Sequence, residues 1–483
     1  MSNGRKGKGV IVSGLLWKFA ERMAAQGVSF VVSVILARLL LPADYGMVAL
    51  VLIFVNLANV FVSTGFSTAL IQKSDADDTD YSTMLYCSIA VAVIMYAILF
   101  IASPSIERFF SQDGLAKVIR VLSLILIVNA FKSIQHAYVS SNMLFKRFFY
   151  STLGGTVVSA VVGIIMAYHG FGVWALVAQN MVNSTIDTII LYITVEWRPH
   201  LLFSLKKAKS LMLYGWNITL GQLLSTGYNQ IRSLVVGKIY TSADLAFYNK
   251  GEQIPQLITT NIDASVSSVL FPALSNENGD VQRVKVLTRN AISTSSYVLF
   301  PLMFGLASVA DPFIRLLLTE KWLFCVPYMR MACVAYAFIP VNSTNLQAIK
   351  ALGRSDIFLK IEIIKKSLGI FLVVVTMFHS VLAIALSNVF INIVAIFINS
   401  YPNKKLMNYG AREQFFDIGP YLTAAVIMSA AIYMVTLLNL GDFTTLVIQA
   451  ILGVVIYIAI SRLFEFEQYI MMVDVLKKLI FNK

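Results

Sequence analysis

The chain has 483 residues, of which 58% are hydrophobic and only 13% charged, with a formal net charge of +13. A water-soluble protein of this length needs far more charge to cover its surface, so a soluble globular enzyme is excluded. The positive balance does not point to nucleic acid, because no basic soluble domain carries it; in a membrane protein it reflects Lys and Arg held in cytoplasmic loops.

The N-terminus is short and basic, and the apolar stretch after it is interrupted by Lys18, Glu21 and Arg22. It therefore reads as a retained first helix, not as a cleaved signal peptide. About fourteen stretches are long enough to cross a bilayer, near 14–40, 46–70, 81–103, 118–140, 149–168, 172–195, 211–238, 245–274, 286–310, 324–349, 357–378, 380–400, 418–438 and 443–463. The longest loops are expected near 196–210 and 311–323, too short for an extramembrane catalytic domain. Most Lys and Arg fall on one side if the N-terminus is cytoplasmic, which puts both termini inside. The clusters Lys206-Lys207-Lys209, Lys360 with Lys365-Lys366, and Lys404-Lys405 dominate that bias.

The chain repeats itself at an offset of about 200 residues, where "GVSFVVSVILARLLLPADYG" (27–46) aligns with "GYNQIRSLVVGKIYTSADLA" (227–246). Gly27 pairs with Gly227, Ser33 with Ser233, Arg38 with Lys238, and Ala43-Asp44 with Ala243-Asp244. Six spans separate the copies, so both halves have the same orientation, as in transporters that build a central site between two lobes. The expected architecture is an all-α polytopic membrane protein: an N-terminal lobe over 1–200, a C-terminal lobe over 201–405, and two peripheral spans with a cytoplasmic tail over 406–483. Asp44 and Asp244 fall in matching turns, where a helix-cap role is expected.

Polar residues recur every three or four positions on particular spans, which places each set on one helix face. The first span carries Lys18, Arg22, Gln26, Ser29 and Ser33, with Glu21 beside them; the second carries Asn56, Asn59 and Ser63. The fourth carries Asn129, Lys132, His136 and Ser140, and the sixth Asn180, Asn183 and Asp187. The seventh shows Asn217, Ser225, Asn229 and Arg232, and the eighth Glu252, Gln256, Thr260 and Asp263, with Pro255 expected to bend it. A charge in mid-membrane costs about 2.5–3.5 kcal/mol on insertion scales, so such residues face protein or a wet cavity.

One reading is a hydrated cavity in which Arg22, Lys132, Arg232 and Lys18 attract an anionic group, while Asn59, Asn180 and Asn229 exchange hydrogen bonds with sugar hydroxyls. Glu21, Asp187, Glu252 and Asp263 would then be charge partners of the cations or ion-coupling groups. The other reading is helix–helix glue, since Asn, Gln and Ser commonly bridge membrane helices, and Lys18 can snorkel. Lys132→Ala and Arg232→Ala are expected to impair export at unchanged protein level if the first reading holds. No phosphate-binding loop, metal-ligand spacing or CxxC pair occurs: the four histidines are scattered, Cys87, Cys325 and Cys333 are isolated, and no cofactor is called for.

Three stretches, "ILARLLLPADYGMVAL" (35–50), "GFGVWALVAQ" (170–179) and "ALGRSDIFLKIEIIKK" (351–366), resemble the polysaccharide transporters of the multidrug/oligosaccharidyl-lipid/polysaccharide exporter superfamily, and most closely the Wzx-type flippases of its colanic-acid and lipopolysaccharide branch. The resemblance implies fourteen helices in two six-helix lobes plus two peripheral ones. It also implies alternating access that carries an undecaprenyl-diphosphate-linked oligosaccharide across the bacterial inner membrane. The implied partners are that lipid-linked oligosaccharide, the membrane lipids, and a polysaccharide polymerase with its chain-length machinery. Two alternatives stay open. A drug or cation antiporter of the same architecture should line its cavity with acids, whereas this cavity leans basic. A membrane-embedded polysaccharide-modifying enzyme should show a large outer loop or an intramembrane histidine, and His136 keeps that reading alive.

Overall fold

The computed structural model describes residues 2–73, 75–277, 280–438 and 440–481, without the side chains of 2–16, 18–20, 475, 476 and 478–481. Every regular element among the described residues is helical, and ten helical stretches are long and apolar enough to cross a membrane. The chain is an all-α, multi-pass membrane protein. The stretches read at 172–195, 211–238 and 357–378 are also helical, but their polar and charged stripes keep them out of those ten.

The chain divides into two compact units, Met1–Ala246 and Phe247–Lys483. In the first, α1 (Ser2–Leu39) leads through a tight turn into α2 (Pro42–Asn59). The Asp44 carboxylate accepts from Leu41 N–H at 3.1 Å, and Asp244 accepts from Thr241 N–H at the same distance. The repeated Ala-Asp pair is thus a helix cap used twice. A π turn at Val60–Thr64 joins α2 to α3 (Gly65–Gln72), and α4 (Asp78–Phe110) follows. The stretch read as one span at 118–140 is two helices, α5 (Leu115–Leu122) and α6 (Ile125–Ser141). The Ser123 hydroxyl bonds back to Ile119 O at 2.6 Å, and three-residue hydrogen bonds tighten the backbone through Leu124 and Leu126. The unit continues with α7 (Phe145–Tyr168), α8 (Val173–Thr194) and α9 (Leu205–Ile239). It groups α9 with the preceding helices because α9 packs on α2, α3 and α4; the division at residue 200 follows the sequence repeat instead.

Where α9 begins, its charges grip the loop before α4. Lys207 Nζ lies 2.6 Å from Asp77 and 3.6 Å from the buried Asp80, which also holds Lys73 at 2.6 Å. The Lys207 hydrogen bond holds the Asp77 carboxyl down at about 2, and the same contact raises the lysine. A carboxyl depressed from 3.8 stabilises the fold above its unfolded value, and that contribution disappears as pH falls from about 4 through about 2. In Lys207→Ala, Asp77 is expected to titrate clearly above about 2 but still below the ordinary 3.8, because the Asp80 N–H keeps its hydrogen bond to the carboxylate, read by carboxyl-carbon NMR. A midpoint still near 2 would mean that another group holds the carboxylate.

In the second unit, α10 (Ser242–Asn276, shared at its start with the first unit) runs helically past Pro255, and α11 (Val281–Ser308) packs against the helices that follow. The region 311–323, read as loop, is largely helical: α12 (Ala310–Leu318) and a 3-10 turn at Glu320–Cys325. Ile314 and Leu318 are buried while Arg315 and Glu320 pair outside at 3.1 Å, so the segment is a short amphipathic helix whose polar face resembles a loop in sequence. Next come α13 (Val326–Ala337) and α14 (Ile339–Ala351), split at Phe338, where Pro340 opens the second helix. They are followed by α15 (Ser355–Thr376), α16 (Val381–Met407), α17 (Ala411–Met434), α18 (Asp442–Leu463) and α19 (Glu467–Phe481).

Candidate functional site

The polar stripes of α6 and α8 meet. Asn129 and Lys132 lie one turn apart on α6, and Ser184 and Asp187 one turn apart on α8, so the two pairs form successive rungs. The Ser184 hydroxyl donates to Asn129 Oδ1 at 3.0 Å, and Lys132 Nζ lies 2.6 Å from Asp187 Oδ2. Asn129 in turn donates to Asn59 Oδ1 at 3.0 Å, which adds the end of α2 to the upper rung. The π turn follows immediately, and the Ser63 hydroxyl there bonds back to Asn59 O at 2.9 Å.

Helix α7 closes the other side of α8. A methyl at Gly155 would stand 2.9 Å from Asn183 O and 3.1 Å from Asp187 Cβ, so only glycine lets α7 pass this close to the ion pair. Asn183 donates to Ser159 at 3.3 Å, and Thr152 donates to Glu21 on α1 at 3.2 Å. The Asp187 side chain is 4% exposed and that of Lys132 24%, so the carboxylate is buried and the ammonium only partly so.

The remaining candidates do not join this ladder. Asn180 bonds Leu176 O of its own helix, and Arg22 and Asn229 are exposed. The side chain of Lys18 lies outside the described residues. Arg232 on α9 is buried at 9% exposure, with Nε lacking any hydrogen-bond partner and its guanidinium 5.9 Å from the Tyr228 ring. Among the described residues no carboxylate pairs with it. The cations read as one set therefore differ in kind: Lys132 is neutralised locally, Arg232 is buried and uncompensated, and Arg22 is exposed.

In the second unit, Glu252 accepts from Tyr248 O–H at 2.7 Å and Asn388 at 3.3 Å, while Asp263 accepts from the Ser343 hydroxyl. Sequence reasoning missed a buried amide ladder in this unit. Asn399 donates to Asn342 Oδ1 at 2.9 Å, Asn403 to Asn345 Oδ1 at 2.7 Å, and Gln414 exchanges two bonds of 2.8 Å with Asn345. The spacings 342/345 and 399/403 carried the signal, but each half looks like ordinary glue until its partner helix is known.

This fold is shared with solved helical membrane transporters. It matches the lipid II flippase MurJ in an inward closed conformation with a TM-score of 0.75 over 93% of this chain and 98% of that one, at 15% identity. An inward-facing multidrug resistance transporter of the MATE family and MOP superfamily matches with a TM-score of 0.63, over 81% of this chain and 99% of that one, at 14% identity. At such identities the likeness is one of fold alone.

The chain belongs to the polysaccharide biosynthesis protein family, whose model matches residues 35–327. Two of the three stretches that carried the family resemblance, 35–50 and 170–179, lie inside that match. Similar relatives include the succinoglycan biosynthesis transport protein ExoT of Rhizobium meliloti, 21% identical over 71% of this chain and 69% of that protein. The lipopolysaccharide biosynthesis protein WzxC of Escherichia coli is 23% identical over 74% of this chain and 73% of its own length. The teichuronic acid biosynthesis protein TuaB of Bacillus subtilis is 24% identical over 72% of each.

Proposed function

We propose that this protein is a flippase that carries an undecaprenyl-diphosphate-linked oligosaccharide across the bacterial inner membrane by alternating access, for exopolysaccharide or lipopolysaccharide assembly. In this reading both termini are cytoplasmic, residues 1–200 and 201–405 are the moving lobes, residues 406–483 are peripheral, and a polymerase with its chain-length machinery receives the product. The protein performs no covalent chemistry. Family membership and the names of the relatives support this reading.

The observation that carries it is Arg232: a buried guanidinium whose Nε has no hydrogen-bond partner and which, among the described residues, has no carboxylate beside it. A buried charge without a counterion destabilises a protein, and a binding site for an anion is a reason to keep one. Arginine grips phosphate oxygens with two parallel hydrogen bonds, which suits a diphosphate better than a drug cation. In this reading Arg22, which is exposed, adds a second cation, Asn180 and Asn229 meet the sugars, and Glu252 or Asp263 takes the coupling ion, while Asn59 stays bonded to Asn129.

Arg232→Ala is expected to cut surface-polysaccharide export about tenfold, the loss of one charge-assisted hydrogen-bonding group, while lipid-linked glycan builds up on the inner leaflet. Removal of an uncompensated charge should leave the melting temperature unchanged or raise it. Wild-type export from this variant would remove Arg232 from the site. Export loss that merely tracks a fall in protein level would show a structural role.

A further inference from the structure

The second unit has a cavity of about 650 Å³ where α16 ends and α17 begins. It lies at the junction of two successive candidate spans, Val381–Met407 and Ala411–Leu438, and a turn between spans falls at the membrane–water boundary. Two cations line it, Lys404 and Arg412, and one acid, Glu413. The acid is already committed: Lys285 Nζ lies 3.0 Å from Glu413 Oε1 and 2.6 Å from Asn408 O. Lys404 and Arg412 have no acidic partner among the described residues, so the cavity carries two uncompensated positive charges.

The backbone is shaped to hold Lys404 there. Asn408 adopts a left-handed φ of 49°, which turns the chain back, and a methyl on Gly410 would press on Lys404 Cδ at 3.2 Å. The aromatic rim is exposed: Tyr401 is 63% and Phe416 71% accessible, with Phe397 beside them. Arg412 lies 5.8 Å from the Phe416 ring, and Lys405, next along the chain, lies 5.1 Å from the Tyr401 ring. Exposed rings at an interfacial depth meet acyl chains and glycerol backbones, not bulk water. A basic pocket between membrane helices, with an aromatic and apolar rim, fits a phosphate on a lipid.

We propose that this cavity binds the phosphate headgroup of an anionic phospholipid, with Lys404 and Arg412 on the phosphate oxygens and Phe397, Tyr401 and Phe416 against the lipid's apolar part. The site is separate from the residues assigned to the transported molecule and depends only on the protein's being membrane-embedded. Bound lipid would brace the α16–α17 junction, which Lys285 and Glu413 already tie to α11.

The test is native mass spectrometry of the full-length protein in detergent with phosphatidylglycerol, cardiolipin, phosphatidylcholine or water-soluble glycerol phosphate added. Wild-type protein should retain the two anionic lipids over phosphatidylcholine, and glycerol phosphate at the same concentration should not displace them. Lys404→Ala with Arg412→Ala should weaken anionic-lipid binding about thirtyfold, whereas Lys404→Arg should retain it. Equal retention of phosphatidylcholine by wild-type protein, or unchanged binding by the double variant, overturns the proposal. Displacement by glycerol phosphate would reassign the cavity to a free phosphate ester and overturn the lipid assignment.

Discussion

Lys132→Ala is expected to destabilise the folded protein by about 3 kcal/mol, the lower end of the cost of breaking a buried pair. The lower end applies because the Lys132 side chain is 24% exposed and so partly solvated. Asp187 is the reason for the size of the effect. Its side chain is 4% exposed, Lys132 is its only ion-pair partner among the described residues, and Oδ1 has no hydrogen-bond partner. Without the ammonium, the carboxylate is left buried with no counterion among the described residues, which is costly.

The double variant Lys132→Ala with Asp187→Ala removes both charges and should recover most of the loss. Unfolding midpoints of the two single variants and the double variant in detergent give the coupling directly. A wild-type midpoint for Lys132→Ala, or a double variant no better than the single, would show that the pair does not hold α6 to α8. The result also changes how export data are read. The polar stripe alone predicts an unchanged protein level for Lys132→Ala; the ion pair predicts a lower one, so the double variant is the fair probe of Lys132 as a substrate contact.

The spans were legible because a bilayer demands about twenty apolar residues in a row, and few segments meet that demand by accident. The breaks within them were not. Those at Ser123 and at Val60–Thr64 depend on hydrogen bonds one residue out of register, which leave no trace in hydropathy. The amphipathic α12 was lost for the opposite reason: it is too short and too charged to read as a span, and its buried face is visible only against its neighbours.

The polar stripes fared in proportion to how local their information is. Spacing placed Asn129 with Lys132 and grouped Asn180, Asn183 and Asp187 on one helix, but it could not say that the two helices face each other. Whether Lys132 met a ligand or a carboxylate therefore stayed open until Asp187 was found beside it. Asn229 and Arg232 share a face by spacing, yet one is exposed and the other buried, because burial changes along a helix as its neighbours come and go. The turn "LLPADYG" was the most informative short segment, since its cap needs only residues three apart in sequence.

That same turn supports the sharpest packing prediction, Gly46→Ala. A methyl at Gly46 would lie 1.8 Å from Ser242 O, 2.5 Å from its carbonyl carbon and 2.9 Å from its Cα. All three atoms are backbone, so no side chain can swing aside, and α2 and the start of α10 must separate. The first turn of α2 has little freedom to yield. Asp44 caps it through Leu41 N–H, and Gly172 of the α7–α8 turn sits close enough that its own methyl would touch Asp44 Oδ1 at 3.4 Å. Forced overpacking costs about 1–3 kcal/mol, and a backbone-on-backbone clash belongs at or above the top of that range. Gly27→Ala is the matched control: it is the same chemical change within a membrane helix, with nothing within 4 Å of the added methyl. There the better helix propensity of alanine should stabilise by about 0.5–1 kcal/mol. One substitution type is thus expected to act with opposite signs at two glycines of the same repeat segment, read as unfolding midpoints of the purified protein. If Gly46→Ala melts at or above the wild-type temperature, the close crossing of α2 and α10 at this glycine is wrong.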